Sequence, residues 1–103
     1  MRFQQLALIA ALFTPTIALA HTPLCSCYDS GDGTVLCEGG FSDGSSATGV
    51  EIKVINDSGE LVVKGKMNED SEFEFDKPKS AYHVEFNAGP GHLISIDSEN
   101  IVE

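Results

Sequence analysis

From residue 24 onward the chain alternates apolar and polar residues in short runs, and turn residues interrupt it about every ten positions. The first run is Leu24 to Tyr28, followed by the turn Asp29-Ser30-Gly31-Asp32-Gly33. The second, Thr34 to Phe41, closes on the loop Ser42-Asp43-Gly44-Ser45-Ser46. Val50, Ile52 and Val54 alternate with Glu51 and Lys53, which predicts a strand buried on one face. Asn56-Asp57-Ser58-Gly59 is a hairpin turn leading into Leu61 to Lys66. Phe73 and Phe75 alternate with Glu72, Glu74 and Asp76; Tyr82, Val84 and Phe86 alternate with His83 and Glu85. After Asn87-Ala88-Gly89-Pro90-Gly91, a last strand is expected to carry His92, Ile94 and Ile96 on one face. No helical period occurs, so the pattern predicts an all-β fold, a single antiparallel β-sandwich of about seven strands.

The first twenty residues stand apart from this pattern. Arg2 precedes the apolar run Leu6 to Phe13, and Ala18-Leu19-Ala20 is a small-residue cleavage site, so residues 1–20 read as a secretory signal peptide. The run is too short to span a bilayer comfortably, and Thr14-Pro15-Thr16 interrupts it. Residues 21–103 are therefore expected as one domain in the periplasm, with His21 first and no membrane span after signal removal.

All sixteen acidic residues lie in that domain against five lysines, and loss of Arg2 takes the formal charge from −10 to −11. Such a charge excludes nucleic acid as a partner, since that binding rests on cations meeting phosphate. Metal cations or a basic protein surface are the compatible partners. The domain has no nucleophile elbow and no paired-histidine helix motif, and its small size leaves little room for a substrate pocket. A non-enzymatic role is expected.

Three cysteines, Cys25, Cys27 and Cys37, lie close together in the chain. In an oxidising compartment one disulfide and one leftover thiol are expected. A hairpin around Gly31–Gly33 places Cys27 opposite Cys37, within reach of a cross-strand bridge, with Cys25 as the diagonal competitor. A three-thiolate metal site is the alternative.

Removal of the signal would free the α-amine of His21, which with its own Nδ1 can chelate a metal ion. Imidazole suits nickel, copper, zinc and iron. Two nitrogens hold a divalent ion weakly, and His92, after the glycine-rich loop, is the candidate third ligand. His83 is expected to face solvent beside Glu85 rather than to bind metal.

One family shares these features. A histidine directly after the signal, Gly33-Thr34-Val35, Glu38-Gly39 and Phe41, Asp43-Gly44, Gly59, Gly65, Phe73-Glu74-Phe75 and Ala88-Gly89-Pro90-Gly91-His92 follow in its order. The chain resembles the small extracytoplasmic accessory component (NikL/CbiL type) of energy-coupling-factor nickel/cobalt importers over about residues 21–92. The resemblance implies a prealbumin-like, carboxypeptidase-regulatory-like sandwich that assists metal capture by the importer's membrane subunits. It implies His21 and His92 as ligands and nickel or cobalt as the ion. The cysteines are not part of the family pattern, and Ser71 stands where the turn after Asn68-Glu69-Asp70 usually has glycine. With no apolar stretch near the C-terminal end, docking to a transporter would be through protein contacts. A copper-binding chaperone using the same N-terminal histidine, and a metal-free interaction domain, are the alternative functions.

Overall fold

The computed structural model describes residues 22–103; residues 1–20, expected as a signal peptide, and His21 lie outside the described residues. Seven strands follow in order: β1 (Pro23–Asp29), β2 (Thr34–Phe41), β3 (Glu51–Asn56), β4 (Leu61–Lys66), β5 (Glu72–Asp76), β6 (Tyr82–Asn87) and β7 (Leu93–Asp97). Every pairing is antiparallel. One sheet has the order β1-β2-β5 and the other β4-β3-β6-β7. Among the described residues the only helix is a single 3-10 turn, Ser98–Asn100. The all-β, seven-stranded sandwich read from the sequence is the fold observed.

The core follows from the two-residue period. Val35 and Cys37 of β2, Ile52 and Val54 of β3, and Val84 and Phe86 of β6 are fully buried. The central strands β3 and β6 thus supply most of one wall, and β2 with Phe75 of β5 supplies the other. Two aromatic rings cross the gap between sheets onto glycines. Phe86 meets Gly39 of β2, and Phe73 of β5 meets Gly65 of β4, leaving no room for a Cβ at either glycine.

Two connections use the same device. In Asn56–Glu60 the Asn56 side-chain oxygen accepts from the amides of Ser58 and Glu60, and the Asn56 amide donates to the Glu60 carbonyl. In Asn68–Glu72 the Asn68 oxygen accepts from Asp70 and Glu72, and its amide donates to the Glu72 carbonyl. The fourth residue of each must be left-handed: Gly59 has φ 86° and Ser71 has φ 60°. A serine there carries a steric penalty that glycine avoids. Its hydroxyl supplies the compensation, accepting from the Ala47 amide at 2.9 Å and bonding the Ser46 hydroxyl at 3.0 Å. Ser71 therefore ties the β2–β3 loop to the β4–β5 turn, a tie that glycine has no side chain to make.

Strand boundaries differ from expectation at one place that matters. His92 was expected to open the last strand on the face of Ile94 and Ile96, but β7 begins at Leu93. His92 closes the preceding turn instead, and it is exposed.

Candidate metal site

The direction of β1 and β7 decides what lies near His92. The amide of Asp29, at the end of β1, donates to the carbonyl of Val102, which follows β7 by five residues and a 3-10 turn. At the other end of the sandwich, Phe86 pairs with Ile94 near the start of β7. Its ring rests on Gly39, the partner of Cys25 near the start of β1. The two strands therefore begin at the same end. Thr22, the first described residue, and the loop holding His92 both belong to that end. There Thr22 is fixed to Ser42 by two bonds, its amide to the Ser42 hydroxyl (3.1 Å) and its carbonyl from the Ser42 amide (2.8 Å). His21 itself lies outside the described residues.

The loop Ala88–His92 orients the imidazole. The His92 amide donates to the Gly89 carbonyl at 2.9 Å, enclosing Pro90 and Gly91, and Gly91 has φ 78°. Proline second and a left-handed glycine third is the residue order of a type II turn. The Ala88 amide donates to the His92 carbonyl at 3.0 Å and closes the loop. Nδ1 of His92 lies 3.0 Å from the Pro90 carbonyl oxygen. A carbonyl only accepts, so Nδ1 carries the hydrogen. In the neutral ring Nε2 then holds the free lone pair. Histidine ligands commonly donate the second ring N–H to a carbonyl in this way, which fixes tautomer and ring orientation. The proline-glycine-histidine order was legible in the sequence, but the part played by the Pro90 carbonyl was not.

The other sequence candidates separate. His83 faces outward on β6, with Nε2 3.0 Å from Glu85 Oε2, as the alternation predicts. Cys27 and Cys37 are opposed in register and joined by a disulfide. That pairing rules out the three-thiolate site, since two of its ligands are oxidised. Cys25 is the free cysteine. Burial pushes its thiol up to about 11, so it is protonated at neutral pH and a poor metal ligand. Among the described residues no group of three or more His, Cys, Asp or Glu is placed to hold a metal ion. His92 thus offers one directed nitrogen, and further ligands would have to come from beyond that set.

At the opposite end, sequence reading missed an ion pair. Lys77 Nζ lies 2.6 Å from Asp29 Oδ2, joining the end of β1 to the segment after β5. The Lys77 amide also donates to the Gly33 carbonyl at 2.9 Å. The hydrogen bond from the Lys77 ammonium, with a second from the Gly31 amide, holds the Asp29 carboxyl below its usual range, and the same ammonium–carboxylate bond raises Lys77. No helix among the described residues is long and apolar enough to cross a membrane. Set against protein-family models, curated proteins and solved structures, the chain matches none of them.

Proposed function

We propose that this protein is a periplasmic metal-binding accessory that captures nickel or cobalt and passes it to the membrane subunits of an energy-coupling-factor importer. The ion is its cargo, held by the α-amine and Nδ1 of His21 together with Nε2 of His92. The supporting observation is the Pro90–His92 contact, which leaves Nε2 of an exposed, oriented imidazole as the acceptor nitrogen. Thr22, the residue after His21, lies at the same end of the sandwich as the His92 loop, which supports this reading. The disulfide accords with an oxidising compartment outside the cytoplasm. The excess of carboxylates favours cation approach.

The test begins with N-terminal sequencing of the exported protein, which should start at His21. Calorimetric titration with nickel, cobalt and copper should then give one site per chain. Copper should bind tightest in vitro whatever the cargo, by the general affinity order of divalent metals. Extension by one residue before His21, or His92→Ala, should weaken binding strongly. Absence of binding for all three ions would overturn the reading and leave a metal-free interaction domain. Binding of copper alone would favour a copper chaperone.

A further inference from the structure

We propose that two copies of this chain associate through β1, edge to edge about a twofold axis at Ser26, joining their three-stranded sheets into one six-stranded sheet. The proposal is independent of the metal reading.

The backbone of β1 has one side unused. Thr22 and Ser30 bracket the strand and bond the two ends of β2: the amide of Ser42, just past β2, donates to the Thr22 carbonyl, and the Ser30 amide donates to the carbonyl of Thr34, the first residue of β2. By the alternation of an antiparallel ladder, Leu24, Ser26 and Tyr28 then bond β2, while Pro23, Cys25, Cys27 and Asp29 direct their N–H and C=O groups away from it. Two observations agree. Cys27 and Cys37 have a Cα separation of 4.0 Å, as in a non-hydrogen-bonded pair. The Asp29 amide bonds Val102, outside the sheet. The amides and carbonyls of Cys25 and Cys27 have no backbone partner on that side among the described residues, and β1 is the outer strand of its sheet. They border an open groove of about 390 Å³, lined by Cys25 to Tyr28, Ile96, Asn100, Val102 and Glu103.

The other three edges carry protection of the kind that blocks strand pairing. β4 has Lys64 and Lys66, β5 has Glu72, Glu74 and Asp76 in five residues, and β7 is only five residues long. β1 has seven residues and no charge before Asp29, and its own blocking features, Pro23 and the Asp29–Val102 bond, lie at its two ends and leave Leu24 to Tyr28 between them.

Its sequence is also self-complementary. Leu24 and Tyr28 are 51% and 44% exposed, lie on the outer face, and are each two residues from Ser26. A twofold axis at Ser26 sets Leu24 beside the partner's Tyr28, and Tyr28 beside the partner's Leu24. The same register pairs Cys25 with the partner's Cys27, so that four backbone hydrogen bonds form. The pairing ends where it should. Asp29 falls opposite the partner's Pro23, which has no N–H to offer, and its amide is already held by Val102.

Sedimentation equilibrium of the purified protein should show a monomer–dimer equilibrium. Ser26→Lys places two ammonium groups face to face at the axis and should weaken association at least tenfold. Leu61→Lys, on the β4 edge, should leave it unchanged. Backbone amide exchange gives a readout without substitution: the Cys25 and Cys27 amides should be protected in concentrated solution and lose that protection on dilution. A monomer at all concentrations up to about 1 mM would overturn the proposal. So would a dimer whose Cys25 and Cys27 amides exchange freely, or a dimer that Ser26→Lys does not weaken. Growth into open-ended assemblies would overturn the closed twofold contact.

Discussion

Phe86, on β6 of the four-stranded sheet, lies so close to Gly39, on β2 of the other, that a Cβ on Gly39 would fall 2.8 Å from Cε1 and 3.1 Å from Cζ. Phe73 repeats the relationship from the opposite sheet onto Gly65. Phe86 is fully buried and Phe73 partly so, and an added methyl has to displace the ring in each case. Gly39→Ala and Gly65→Ala should each destabilise by about 1–3 kcal/mol through overpacking. Gly40→Ala is the control, because its Cβ would meet nothing nearer than the Ser45 carbonyl at 3.9 Å. It should stay within about 0.5 kcal/mol of the parent. Thermal melts of the three variants decide the matter.

The disulfide should account for much of the domain's stability. Cys27→Ala with Cys37→Ala is expected to cost roughly 2–4 kcal/mol, a large share of what so small a core provides. Mass spectrometry of the purified, unreduced protein should find the Cys27–Cys37 link and one free thiol. Because burial keeps Cys25 protonated, iodoacetamide should label it slowly at neutral pH when folded and rapidly in denaturant. Fast labelling of the folded protein would contradict the burial.

The Asp29–Lys77 pair predicts a pH window. Asp29 titrates below its unfolded value of about 3.9, so its contribution is full above about pH 5 and is lost as pH falls through the lowered value. Lys77 titrates above its unfolded value of about 10.4, so its contribution is full below about pH 9 and is lost as pH rises through the raised value. Lys77→Met should therefore differ most from the parent between about pH 5 and 9. Urea melts should show that difference shrinking at both extremes. A difference that does not vary with pH would assign the effect to packing of the lysine stem.

Metal affinity should separate the histidines. His92→Ala should weaken nickel binding at least tenfold, whereas His83→Ala, whose ring faces outward beside Glu85, should change it little. Nitrogen ligands bind only when neutral, and reference imidazoles and α-amines titrate at about 6.5 and 7.7–8.0. Affinity should thus fall as pH drops from about 8 to 6. Equal affinities for the two variants would reject His92 as a ligand.

What the sequence determined by itself was everything local. The alternation at Val50–Val54, Phe73–Phe75 and Tyr82–Phe86 specified strands because side chains on a strand alternate faces. The short loop after Asp29 set the hairpin register, and with it the opposition of Cys27 to Cys37. The placement of His83 beside Glu85 followed from the same period. The tertiary structure decided what depends on residues distant in the chain. It placed β5 beside β2, Glu72 opposite Glu38, rather than beside its sequence neighbour β4. It also put the rings of Phe73 and Phe86 over glycines of the opposing sheet. Ser71 is a case of both: its position in the turn was visible as a departure from glycine, but only the approach of Ala47 and Ser46 explains it. His92 was legible as a histidine after a glycine-rich turn. Its free nitrogen was not, because a tautomer depends on which acceptor the folded loop brings to the ring. Periodicity is a property of one strand, whereas sheet order, ring-on-glycine contacts and side-chain hydrogen bonds are fixed only when several segments compete to fill one core.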